Sequence, residues 1–116
     1  MKITDLSQLI VQYPVEMEFD TPAGAQKLAF TGHFRVFDDT ETQRVLQDGD
    51  DTDIIKTVLI GWDGIEDDEG TRLPFNDSTL TLLLQRAVVR VAIIRAFMAM
   101  NEDQIAKNLK RRSPNG

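Results

Sequence analysis

Two clusters of carboxylates and a lone histidine are the side chains of this sequence with the types to do chemistry. The segment Asp48-Gly49-Asp50-Asp51-Thr52-Asp53 gathers hard oxygen donors of the kind a calcium loop uses. Its spacing does not fit that use. Counted from Asp48, the sixth position, which needs glycine, is Asp53, and the twelfth, which needs glutamate, is Leu59. Helix capping and solvation account for these acids. The second cluster, Asp63 with Glu66, Asp67, Asp68 and Glu69, reads in the same way as charge that keeps a loop in water. His33 sits in an apolar-alternating run with no Ser or acid at a motif spacing, which marks a packed or exposed strand histidine rather than a catalytic one. Without cysteine there are no disulfides, thiolate metal sites or thiol nucleophiles. Acids distant along the chain can still converge into a catalytic pair, although those on caps and turns have local reasons to be there. Gly61-Trp62-Asp63-Gly64 matches neither a dinucleotide-binding glycine motif nor a Walker loop. The expectation is a protein with no catalytic residues, no cofactor and no metal, whose constraints concern shape and partners.

The chain has 116 residues, enough for one ordinary domain. Hydrophobic residues at 41% and charged residues at 28% indicate a globular fold, and 7% aromatic is too little for an aromatic-rich binding surface. No apolar leader follows Met1-Lys2-Ile3, and Arg86, Arg90 and Arg95 interrupt the best apolar run before membrane-spanning length. A soluble, intracellular protein is expected, with no membrane partner. The net charge of -6 is uneven: residues 38–77 hold 13 Asp or Glu against 3 Lys or Arg, whereas Lys107, Lys110, Arg111 and Arg112 make the end basic. An acidic body repels phosphate backbones, so nucleic acid is disfavoured as a partner of the domain.

The elements that must position these residues divide into strands first and helices after. Val15, Met17 and Phe19 alternate with acids over residues 14–20, the period of a strand with one wet face. Thr21-Pro22-Ala23-Gly24 supplies a turn, and a second extended run over residues 27–37 carries Gly32, where the apolar phase changes and a bulge is expected. Thr40-Glu41-Thr42-Gln43 fits a capping box for a short helix ending at Asp48-Gly49. Asp51-Thr52 starts another, with Ile54, Ile55, Val58 and Leu59 on one face and Gly61 at the left-handed position that closes it.

Residues 62–75 read as a compact loop or short hairpin with turns at Asp63-Gly64 and Glu69-Gly70, and Asn76-Asp77-Ser78 offers caps for a long helix over residues 79–100. That helix has Leu80, Leu83, Leu84, Ala87, Val88, Val91, Ile94 and Met98 on one stripe and Leu82, Val89, Ile93, Ala96, Phe97 and Met100 on another. A helix apolar on two sides must be covered on both, by its own domain or by self-association or a partner. Residues 102–112 are polar and helix-compatible. The fold class is therefore α+β: an N-terminal antiparallel hairpin or small sheet, two short helices and one long apolar helix. Residues 1–104 form a single domain, and residues 105–116 a basic, frayed tail. Trp62, the only tryptophan, serves either as a lid on the sheet-helix core or as an interface anchor.

The order of these features resembles the tail assembly chaperones of long-tailed bacteriophages, the family of the lambda G protein. The resemblance rests on the β-rich start, Val58-Leu59-Ile60-Gly61-Trp62-Asp63-Gly64-Ile65, an acidic glycine turn, Leu73-Pro74-Phe75, the apolar helix and Lys107-Asn108 near the end; residues 58–75 carry its sharpest part. It implies a non-enzymatic protein of the infected bacterial cytoplasm that binds the tape measure protein, helps recruit tail tube protein and is absent from the mature virion. Such chaperones are often made in a short and a frameshifted long form, and this chain resembles the short one. The packing and interaction set expected under this reading is Trp62, Leu73, Phe75, Leu82, Val89, Ile93 and Phe97. The alternative is a permanent virion subunit, such as a head-tail connector or tail terminator, which would also associate through apolar helices.

Overall fold

The computed structural model describes residues 1–112, with side chains through Lys110. The chain is α+β. A short exposed helix α1 (Ile3–Ser7) leads into β1 (Ile10–Thr21) and β2 (Gly24–Arg35). These are followed by α2 (Asp39–Gln47), α3 (Asp51–Val58), β3 (Leu59–Asp63), α4 (Asp77–Leu83) and α5 (Ala87–Arg112). Of the frayed tail expected over residues 105–116, residues 105–112 belong to α5, and residues 113–116 lie outside the described residues. Among the described residues no helix is long and apolar enough to cross a membrane.

β1 and β2 form a regular antiparallel hairpin from Ile10↔Arg35 to Thr21↔Gly24. Pro22-Ala23 makes its turn, and Gly24 accepts the left-handed φ of 110° that closes it. The period-2 pattern sets which face is wet. Val11, Tyr13, Val15, Met17 and Phe19 face the helices, while Glu16, Glu18 and Asp20 face water. β3 completes the sheet, in the order β1-β2-β3, and its pairing with β2 slips between His33 and Phe34. This is the irregularity expected at Gly32. A Cβ there would lie 2.7 Å from the Phe34 ring, so the glycine makes room for the aromatic side chain that the bulge redirects.

Segment 59–63 corrects an expectation. Gly61 does not cap a helix; it lies opposite His33 in β3, and its φ is not positive. Strand pairing and the burial of Leu59 and Trp62 outweigh the C-cap signal at this position. Both helix starts also shift. Asp38, not Thr40, caps α2 by accepting the Glu41 N–H at 2.8 Å, and Asp50 caps α3 in a reciprocal box with Asp53. In each case an aspartate stood slightly upstream of the expected cap, and an ionised acceptor at the positive end of a helix is favoured. Asn76 caps α4 as expected, accepting the Thr79 N–H.

The long helix is broken. α4 ends at Leu83, and α5 begins three residues beyond Leu84, without Pro or Gly at the join. Leu80 and Leu84 lie eleven and seven residues before Val91, so on an unbroken helix they would share its face, opposite Ile93 and Phe97. The break turns them inward, and both are buried. The Leu84 carbonyl freed there accepts a 2.7 Å hydrogen bond from the Arg90 guanidinium, which satisfies the end of α4. α5 then continues through the polar segment 102–112 as one helix.

The core lies between the inner face of the sheet and one side of α5, with α3 alongside. Val15, Phe34, Ile55, Val58, Ile93, Phe97 and Met100 are fully enclosed, and Phe97 packs against Phe34 and Phe37 with ring centroids 6.1 and 6.4 Å apart. If Asp38 caps α2, Asp38→Ala should cost about 1 kcal/mol in a denaturant melt and Thr40→Ala only a few tenths. The reverse order would place the cap at Thr40.

Candidate interaction site

Trp62 belongs to the core. Its indole stands edge-on to Phe75 at 4.8 Å and to Phe30 at 6.4 Å, and its N–H donates to the Leu73 carbonyl at 2.9 Å. Leu73 is held through its other backbone group as well, because its N–H donates to Ile65 O at 2.8 Å and closes a short hairpin over residues 65–73. Gly64 and Gly70 take positive φ at its turns, and the backbones of Glu66 and Arg72 pair antiparallel. The acids of this segment act locally: Asp67 Oδ1 accepts the N–H groups of Glu69 and Thr71, both at 2.9 Å. Among the described residues no group of three or more His, Asp or Glu side chains is placed to share a metal ion.

His33 pairs with Asp63 across β2 and β3, Nε2 to Oδ2 at 2.7 Å, on the face of the sheet turned away from the core. With Asp63 ionised, Nε2 carries the proton and donates it. Nδ1 lies against Gly61, close enough that a Cβ at residue 61 would meet it at 2.9 Å. The pair ties β3 to β2, a role that spacing did not reveal because its partners are thirty residues apart.

The expected interaction set divides by burial. Trp62, Val89, Ile93 and Phe97 are enclosed in the chain's own core, and Leu73 and Phe75 are half-buried against it. Only Leu82 stands exposed. The stripe through Val89, Ile93 and Phe97 is thus the one that faces the sheet, and its atoms are not surface. The opposite stripe of α5 is uncovered. Val88, Val91 and Met98 are exposed there, and Ile105 and Leu109 extend the same side along a segment read from sequence as polar. The outer part of the β1–β2 hairpin reaches past the core, leaving a groove of about 880 Å³ between it and the start of α5. Met17, Leu28, Val88 and Val91 give its apolar lining, and Glu16 and Arg95 stand among its charged residues. An apolar surface rimmed by charge suits a protein partner better than a small polar ligand.

Tyr13 anchors the far end of α5 by donating its hydroxyl to Asp103. The hydrogen bond favours the protonated phenol, and the carboxylate charge opposes a second negative charge, so the pKa of Tyr13 is raised above its ordinary value of 10.0. The tie is therefore complete at neutral pH and is lost as pH rises through the raised value.

Two measurements check this arrangement. Trp62→Ala should lower stability by about 3–5 kcal/mol in chemical denaturation; a loss under about 1 kcal/mol would place the indole outside the core. Tyr13 is the only tyrosine, so a spectroscopic titration reports it directly: the midpoint should lie above 10.0 and fall toward it in Asp103→Asn. Compared with known proteins, the chain matches no family model, no curated protein and no solved structure.

Proposed function

We propose that the chain is a non-enzymatic assembly chaperone of a long-tailed phage, one that binds the tape measure protein in the host cytoplasm and helps recruit tail tube subunits. The observation that carries this reading is the apolar groove between the β1–β2 hairpin and α5, an unfilled surface for the side of a client helix. The resemblance over residues 58–75 supplies the client. A second support is the use of the acidic clusters as caps and turns and the engagement of His33 by Asp63 and Gly61, which leave these groups with structural work.

A chaperone that coats a long helical client needs many weak, repeated contacts, because each copy must leave when the tube subunits arrive. An open groove walled by Met17, Leu28 and Val88 fits such a contact better than an enclosed pocket would. The negative charge of the body keeps crowded copies apart until the client orders them.

Co-expression with the tape measure protein of the same genome should raise that client's soluble yield. Leu28→Asp changes an exposed side chain, so the chain should stay folded while client binding weakens roughly tenfold. No gain in client solubility, or stoichiometric presence of the chain in purified virions, overturns the proposal; the second result favours a permanent tail or connector subunit.

A further inference from the structure

Ala87, Val91, Met98, Ile105 and Leu109 follow one another on α5 at steps of four and seven residues, so they occupy one side of the helix, with Ile94 beside them half-buried against the core. That side points away from the buried Val89, Ile93, Phe97 and Met100. Val91 is 38% exposed, Met98 46%, Ile105 59% and Leu109 61%. The stripe runs roughly 33 Å at the rise of an α-helix. Val91, Met98 and Ile105 stand at heptad spacing, the pattern of a seam between two helices.

We propose that this stripe is the seam of a homodimer in which α5 packs antiparallel against α5 of a second copy, centred on Met98. In that register Val91 of each copy lies against Ile105 of the other, and the small Ala87 against the large Leu109. A two-fold axis through Met98 generates both halves of the contact. Charge selects the direction. Arg95 and Glu102 lie seven residues apart on one flank of the stripe, and neither makes an ion pair within the described residues. The antiparallel register brings Arg95 of each copy beside Glu102 of the other, forming two equivalent pairs at the positions that set orientation in paired helices. A parallel pairing would instead set Arg90 of each copy beside Arg95 of the other, with the helix dipoles aligned unfavourably.

The pairing does not depend on the identity of the client; it draws on Val91 and Arg95, which also line the groove, and leaves Met17, Leu28 and Val88 outside the seam. Its consequence for assembly is that the delivered unit is two copies with their grooves related by a two-fold axis.

The test uses the full chain alone. Light scattering across a concentration series should give a dimer, and Arg95→Glu should weaken it about tenfold. The double variant Arg95→Glu/Glu102→Arg should restore it, which a loss of folding would not allow. The chain has no cysteine, so introduced thiols report register without background. Met98→Cys should form a disulfide dimer on mild oxidation, and Val91→Cys should link to Ile105→Cys in a mixture but not to itself. A monomer at every concentration, a dimer indifferent to Arg95→Glu, or self-linking of Val91→Cys overturns the proposal. If Ile105→Cys stays open to a thiol reagent in the chain alone and is shielded only when tape measure protein is added, the stripe belongs to the client, and the dimer is likewise refuted.

Discussion

One core cannot hold both Leu80 and Phe97 if residues 77–112 form an unbroken helix, because the two side chains would then point to opposite sides. The chain resolves this by interrupting the helix at Leu84, and much of the remaining architecture follows. α4 swings so that Leu80 and Leu84 join the buried set, and α5 is free to lay Val89, Ile93 and Phe97 on the sheet. The guanidinium of Arg90 offsets the cost of an interrupted helix end by donating a hydrogen bond to the Leu84 carbonyl. The stripe that α5 then shows to solvent is what remains once the core is satisfied.

The second organising contact is the indole of Trp62. It is the last large side chain of β3, and its N–H reaches eleven residues along the chain to Leu73. That one bond connects the sheet to the hairpin over residues 65–73. Thr79 continues the line by donating its hydroxyl to the Pro74 carbonyl at 2.6 Å, so the loop is held at both ends. Its glycines and acids shape a rigid link that sets where α4 begins.

Much of this was legible in the residues, and the remainder was hidden for physical reasons. Alternation over residues 14–20 identified β1, the phase change at Gly32 identified the bulge, and Asn76 announced α4. These signals are local, as are the forces behind them. The missed features depend on distant partners. Gly61 reads as a helix stop only if β2 is not waiting beside it, and the break at Leu84 has no Pro or Gly to mark it. The same holds for the surface. Both stripes of the long helix were visible as apolar, but only the position of the sheet decides that Ile93 and Phe97 are spent on the core while Val91 and Met98 are not. Ile105 and Leu109 were overlooked because nine charged or amide side chains over residues 101–112 mask two apolar ones at helical spacing.

The first strand of the sheet has a consequence of a different kind. β1 is an edge, twelve residues long, and a free backbone edge of that length is a template for uncontrolled addition of further strands. Pro14 has no N–H to offer such a strand, and Glu16, Glu18 and Asp20 would set carboxylate against carboxylate in any copy that docked in register. The edge is closed to its own kind. Copies of this protein held at high local concentration are thereby steered away from the irreversible cross-β route and toward side-chain contacts, which can be undone.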